Sequence, residues 1–268
     1  MLHLRRNGTG PPILYLHGVG GSGLIFQPVL QRLGTGHDHL RPDLLGYGYS
    51  PKPSTTYTVD AHVDALHELV VAQRLDEPLV IVGLSMGSII GLEYAIRWPA
   101  EVRGVVAAGM PYYRDQAEAR RDLRHNLWAG LSLRAPRLAR ALITPLWGLG
   151  RRSAPMSRLL APRMYAGEVA RESMMATYEA FSSTLRECLV QQRVPELLAA
   201  TAAIPKAFAH GADDRWCPAS RVGALLVDRP ECTFAVLEGI GHNTVVLDPD
   251  GTAAVGAGLL ARLGRASS

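Results

Sequence analysis

The residues with the clearest chemical potential are Gly83-Leu84-Ser85-Met86-Gly87, a G-x-S-x-G sequence between the apolar run Leu79 to Val82 and the helix-compatible run Ser88 to Trp98. A serine on a sharp strand-to-helix turn sits in strained backbone, and glycines two residues to either side let chains pass close by. A helix starting there aims its N-terminal amides at the serine and favours an oxyanion. A hydroxyl is a poor nucleophile at neutral pH, so a base and an orienting acid must come from elsewhere in the chain. Gly241-His242-Asn243 supplies a candidate base, and Asp213-Asp214, within Gly211 to Pro218, supplies candidate carboxylates. The order Ser85, Asp214, His242 is nucleophile, acid, base, with each on a successive strand-end loop. The chemistry this predicts is acyl transfer through a covalent acyl-enzyme. Besides the Met86 amide, a second oxyanion donor is expected from the glycine-dense segment His17 to Gly23. We assign it to the Val19 N–H, with Gly18 as the hinge that turns it inward.

These residues need elements to hold them. Ile13 to Leu16, Leu79 to Val82 and Val102 to Ala108 are short apolar runs that each end in glycine or His-Gly, and Thr58 to Leu75 repeats its apolar residues at near-helical spacing. Apolar runs without polar alternation suit strands buried on both faces, so the pattern predicts a mostly parallel central sheet with helices on both sides. Beyond Pro111 the alternation stops. Residues 112–200 are Arg-, Leu- and Ala-rich and helical in pattern, punctuated by Pro136, Pro145, Pro155 and Pro162. Strand signals return at Ile204 to Gly211 and Thr233 to Leu237, and a last helix is expected from Pro249 or Asp250 to Leu263. The expected organisation is an α/β core of residues 1–111 and 201–268 interrupted by a helical insertion, 112–200.

Taken together, His17-Gly18 with its glycine loop, the turn Asp43-Leu44-Leu45-Gly46-Tyr47-Gly48-Tyr49-Ser50, the Ser85 elbow, the Asp214 loop and Gly241-His242 resemble an α/β-hydrolase of the capped, esterase-like branch. The resemblance runs from Leu14 to Pro249. It implies that the acid is Asp214 rather than Asp213, and that residues 112–200 form a helical cap over the active site. Two departures stand out. Only Leu2 to Arg6 precede the His-Gly strand, so the sheet is expected to be short of its first strand. Val19-Gly20 follows His17-Gly18 where epoxide-hydrolase-like relatives carry proline, and Ser85 excludes their aspartate nucleophile.

The 268 residues are 47% hydrophobic and 19% charged, which excludes intrinsic disorder. The longest uncharged apolar stretch, Leu79 to Leu92, is too short for a bilayer span, and the start lacks a secretory pattern. A cytoplasmic protein without membrane or nucleic-acid partner is expected. Cys188, Cys217 and Cys232 are an odd set with neither disulfide nor zinc spacing and read as reduced thiols. Of 28 basic residues 26 are Arg, consistent with a GC-rich bacterial genome, and residues 112–200 hold 14 Arg against 8 acidic residues. That excess fits a solvated helical surface better than an anionic substrate or partner. Asp60, His62, Asp64 and His67 read as a solvated helix face, because His62 and His67 share no helical face for a metal. No metal or cofactor is expected. Asp115 is a further candidate acid, and His17 is expected to brace the oxyanion loop.

The insertion's apolar residues include Leu127, Trp128, Leu142, Ile143, Trp147, Met156, Met164 and Met174. Most must bury it against the core, and some are expected to line a pocket. Gly18, Met110, Tyr112, Trp128 and Trp147 are the candidate substrate contacts. The predicted function is a serine hydrolase acting on an ester or thioester of a small, largely apolar substrate. Carbon–carbon bond hydrolysis, acyl transfer to another nucleophile and non-catalytic ligand binding are the alternatives.

Overall fold

The computed structural model describes residues 1–161, 165 and 167–266; Pro162 and Met164 lie outside the described residues. Among the described residues seven strands form one sheet: β1 (Leu4–Asn7), β2 (Pro12–Leu16), β3 (Asp38–Pro42), β4 (Leu79–Leu84), β5 (Val102–Ala108), β6 (Lys206–Gly211) and β7 (Cys232–Leu237). The sheet order is β1-β3-β2-β4-β5-β6-β7, parallel except for β1, which runs antiparallel to β3. The N-terminal residues therefore contribute one antiparallel edge strand. Pairing of Leu4 with Pro42 and Asn7 with His39 sets its register.

Burial of the parallel strands on both faces explains their unbroken apolar runs. In β2, Leu14 and Leu16 enter one core cluster while Ile13 and Tyr15 enter the other, and β4 divides Leu79 and Ile81 from Val80 and Val82 in the same way. One cluster includes Val63, Leu66 and Ile89 of helices α2 (Val59–Gln73) and α3 (Met86–Arg97). The opposite cluster takes Val29 of α1 (Gln27–Leu33) and Leu259 and Leu263 of the C-terminal helix. Thr58 caps α2, its side chain accepting from the Ala61 amide at 3.1 Å.

Between β5 and β6 the described residues form no strand. They fold as α4 (Gln116–Asp122), α5 (Leu127–Arg134), α6 (Pro136–Arg152), α7 (Ala154–Leu160), α8 (Gly167–Glu172), α9 (Tyr178–Thr184), a π-helical turn at Leu185–Val190 and α10 (Val194–Ala200). The core then adds α11 (Ala219–Leu226), α12 (Thr244–Leu247) and α13 (Pro249–Ala266).

β3 is not expected from the sequence, since Asp38, His39 and Arg41 break any apolar run. Each of the three finds side-chain partners instead: Arg6 donates to Asp38, the Tyr15 hydroxyl meets His39 Nδ1 at 2.7 Å, and the Arg41 terminal nitrogens donate to Gln27 and Asn7, although Arg41 Nε has no partner among the described residues. The chain steps from β2 to β3 on one side and to β4 on the other. The C-terminal ends of β2 and β4 therefore flank the point where sheet order reverses, the usual position of a ligand crevice in an open parallel sheet.

Candidate active site

Ser85 follows β4 directly and adopts φ 53°, ψ −118°, a region that non-glycine residues occupy at a cost of about 1–3 kcal/mol. Three bonds hold this turn. The Ser85 amide donates to the Ala108 carbonyl at 2.8 Å, the Ser88 amide to the Ser85 carbonyl at 2.9 Å, and Ser88 Oγ to the Gly83 carbonyl at 2.9 Å. The flanking glycines are required by space. A Cβ at Gly87 would stand 1.9 Å from the Leu16 carbonyl oxygen, and one at Gly83 would stand 2.5 Å from the Gly87 backbone. Only bare backbone lets α3 begin this close to β2.

Because β4, β6 and β7 run parallel, the loops after them meet at one edge. Ser85 Oγ lies 2.9 Å from His242 Nε2, and His242 Nδ1 lies 2.7 Å from Asp214 Oδ2. Nδ1 therefore donates to the carboxylate and Nε2 is left to accept from the serine. Asp214 Oδ1 accepts from the Trp216 and Cys217 amides at 2.9 and 3.1 Å. Burial opposes ionisation of Asp214, but the charge of His242 and hydrogen bonds from His210 and His242 outweigh it and hold the carboxyl well below the usual carboxylate range.

His210, on β6, is a member of this network that spacing does not predict. Its Nε2 faces Asp214 Oδ2 at 3.1 Å and the Cys217 carbonyl at 2.7 Å, two acceptors, so that nitrogen carries the proton. Its signal is faint: a histidine at the end of an apolar strand, four residues before the acid.

The glycine loop after β2 lies over the serine. A Cβ at Gly18 would stand 3.2 Å from Ser85 Cβ and 3.8 Å from Ser85 Oγ. Among the described residues, neither the Val19 nor the Met86 amide has a hydrogen-bond partner. His17 fixes the loop's entry, Nδ1 donating to the Gly18 carbonyl at 2.8 Å and Nε2 accepting from the Leu44 amide at 2.9 Å. Fully buried Asp43 fixes its exit: Oδ1 accepts from the Gly23 amide and Arg5, and Oδ2 takes the Tyr49 amide and His3. The D-x-x-G-x-G-x-S turn is thus a clamp on this loop. Glu172 of α8, also buried, extends the clamp into the insertion by accepting from Ser22 Oγ at 2.6 Å and Arg5 at 2.5 Å.

A cavity of about 110 Å³ opens onto Ser85 and His242. The core contributes Gly18, Val19 and Trp216, whose ring centroid is 4.5 Å from that of His242. The insertion contributes Trp128, Trp147, Met174 and Phe181, together with Leu185 and Leu189 of the π-helical turn. Among the described residues the wall carries no Asp, Glu, Lys or Arg.

Two expected contacts are corrected. Met110 is fully buried in the core and absent from the wall, and Tyr112 faces Cys217 and Arg221 through its backbone; Tyr113 lines the cavity instead. The chain turns as it leaves β5, so the facing position falls one residue later. Asp213 is exposed, its amide bonded to the Ile240 carbonyl, and Asp115 caps α4 by accepting from the Glu118 amide at 2.7 Å. His62 is not solvated. It is buried with its ring centroid 6.3 Å from that of Tyr47 and 6.2 Å from that of Tyr57, and burial lowers its pKa to about 3. Among the described residues no group of His, Cys, Asp and Glu could hold a metal ion. The three cysteines are free thiols, and burial pushes Cys217 up to about 12 and Cys232 up to about 11.

A family model described as alpha/beta hydrolase fold matches residues 11–249. Lipase 3 of Moraxella sp. (strain TA144) is 39% identical over 114 residues, 39% of this chain and 36% of that protein. The 2-(acetamidomethylene)succinate hydrolase of Mesorhizobium japonicum is 31% identical over 117 residues, 43% of this chain and 42% of that protein. The chain thus spans well under half the length of these curated relatives. Among solved structures, a thermophilic esterase from Thermogutta terrifontis has a TM-score of 0.74 at 20% identity, covering 98% of this chain and 93% of that one, a likeness of fold.

Proposed function

This chain belongs to the alpha/beta hydrolase fold family, and within that family we propose that it is a serine hydrolase cleaving an ester or thioester whose acyl part is small and apolar. The observation that carries this is the chain of hydrogen bonds Ser85–His242–Asp214 at the foot of an apolar cavity. Ser85 Oγ attacks the acyl carbon while His242 Nε2 takes its proton. The imidazolium, steadied by Asp214, returns that proton to the leaving alcohol or thiol. Water repeats the sequence on the acyl-enzyme and releases the acid. The Val19 and Met86 amides are free to donate to the oxyanion, and removing one such donor typically costs about 2.7–4 kcal/mol of transition-state stabilisation. Asp214 and His210 act on the reaction through His242 and are positioning residues.

Residues 112–200 form the cap in this reading, and they supply most of the acyl pocket. A volume of about 110 Å³ is near that of an engineered cavity that takes up benzene, about 150 Å³, so a short or single-ring acyl group fits. The related Mesorhizobium enzyme is named for a succinate derivative, a dianion. No cation faces this cavity among the described residues, which favours a neutral acyl group here.

A fluorophosphonate probe should label Ser85 stoichiometrically, and Ser85→Ala should abolish both labelling and turnover. Across nitrophenyl esters of increasing acyl length, kcat/KM should peak at short chains. Full turnover by Ser85→Ala, or no adduct on intact protein, refutes the mechanism. Faster product formation with added alcohol or amine would instead indicate acyl transfer.

A further inference from the structure

From the outer surface of the insertion, we propose that helices α5–α7 dock this protein on an anionic phospholipid bilayer surface. On α6 the residues Ala139, Ile143, Trp147 and Gly150 are buried, at spacings of four, four and three. A second apolar stripe on the same helix is exposed: Leu138, Leu142, Pro145 and Leu149, at spacings of four, three and four. A globular helix needs one apolar face, so a second one turned to solvent lacks a partner among the described residues. The neighbouring helices continue the feature, with Leu127 at the start of α5 71% exposed and Leu159 near the end of α7 75% exposed.

Charge identifies the partner. From Leu123 to Gly167 the chain holds eight arginines and no acidic residue. Arg134, Arg137, Arg152 and Arg158 are exposed on these three helices, and none has an ion-pair partner among the described residues. Arg140 is neutralised by Glu179 at 2.8 Å. Exposed leucines interleaved with unpaired guanidinium groups match an interface whose headgroups are negative and whose interior is apolar. A purely anionic partner would leave the leucines unexplained, and a second copy of this chain would bring like charges together. No helix among the described residues is long and apolar enough to cross a membrane. The contact is therefore peripheral, a case that the sequence-based expectation of no membrane partner does not anticipate.

Docking would bear on the pocket. Trp147 lines the cavity from the inner face of α6, and Leu160, next to exposed Leu159, lines it from α7. The same two helices thus carry both the pocket wall and the docking stripe.

The test is co-sedimentation of the full chain with vesicles of phosphatidylglycerol and phosphatidylcholine in equal parts, against phosphatidylcholine alone. Each basic side chain near an anionic surface gains about fivefold in binding, so engaging only two arginines predicts at least about 25-fold preference for the anionic vesicles. High salt should erase most of that preference. Two variants probe the two halves of the surface: Leu138→Ser with Leu142→Ser and Leu149→Ser, and Arg137→Ala with Arg152→Ala. Each should weaken binding by at least about tenfold, while hydrolysis of a water-soluble ester is unchanged. Equal binding to both vesicle types, no binding, or binding untouched by either variant overturns the proposal. So does a lipid-free dimer that the leucine variant dissociates, since the occupant would then be a second copy. Because the readout is binding, failure of the ester-hydrolase reading would leave this result standing.

Discussion

Asp214→Asn changes a single acceptor atom in the proposed triad. The asparagine can sit in two ways. With Nδ2 toward the Trp216 and Cys217 amides, donors would face donors at the positions now bonded at 2.9 and 3.1 Å, so Oδ1 keeps those amides and Nδ2 takes the place of Oδ2. Nδ2 then faces His242 Nδ1 at 2.7 Å. To satisfy it, Nδ1 must become the acceptor and the imidazole proton must move to Nε2. That is the nitrogen 2.9 Å from Ser85 Oγ, and once protonated it cannot take the serine proton.

In serine proteases the corresponding change lowers kcat by about 10⁴, or about 5.5 kcal/mol at 1.36 kcal/mol per tenfold. A fall of that size is expected here, with KM within about threefold because the apolar wall is untouched. His210 loses one acceptor but keeps the Cys217 carbonyl at 2.7 Å, so the fold survives. The assay is steady-state hydrolysis of a nitrophenyl ester, with the folded fraction fixed by circular dichroism. A loss under about tenfold by fully folded protein would refute the tautomer argument. It would mean that His242 is held by something other than Asp214.

Glu172→Ala should destabilise the protein, because it leaves Arg5 and Ser22 Oγ without the carboxylate that both now share. With Arg5 still partly exposed, the cost is about 3 kcal/mol, a fall in Tm of about 6–12 °C by calorimetry; an unchanged Tm would show the clamp to be incidental. Gly87→Ala should give no soluble folded protein. Gly148→Ala, on α6 with open space around the new methyl, should be neutral or stabilising by up to about 1 kcal/mol, and the contrast is read by expression yield and urea midpoint. Asp43 is fully buried, yet the Tyr49 and Gly23 amides, with His17 and Arg5, lower its pKa below the ordinary value, as His242 and His210 do for Asp214. A depressed native pKa contributes stability that is complete above the unfolded value, about 3.9, and is lost as pH falls through the native one. The urea midpoint should therefore fall below about pH 4, and Asp43→Asn should flatten that fall.

Ser85, Asp214 and His242 were legible because three parallel strands end in three loops at one edge, so chain order and apolar-run endings nearly determine who meets whom. The limits of such spacing are visible at single residues. One step past β5, nothing in the sequence separates Tyr112 from Tyr113, because the phase of a loop is set by what it packs against. β3 was hidden because Asp38, His39 and Arg41 interrupt the apolar run, and the partners that hold them in the strand, Arg6, Tyr15, Gln27 and Asn7, lie well away in the chain. His62 looked solvated among Asp60 and Asp64, but it sits on the inner side of α2 against Tyr47 and Tyr57. His210 carried no periodic signal, since a strand residue gains its role from the neighbouring loop.

The arginines of the insertion show how geometry divides a bulk property. Counted over residues 112–200, the excess of positive charge is compatible with an anionic substrate as easily as with an outer surface. Among the described residues the helical arrangement favours the outer surface: α6 turns Trp147 toward the serine and leaves Arg137, Arg151 and Arg152 exposed, and no charged side chain reaches the described cavity wall. A charge away from the cavity wall can still act on a substrate by attracting the surface in which the substrate resides, the role proposed for this patch. Pocket and patch would then be two faces of the same helices, one selecting the acyl group and the other selecting where it is met. Trp147→Ala separates the two roles: it should shift the preferred acyl length upward without changing vesicle binding, and a parallel change in both would mean that α6 does not hold its faces independently.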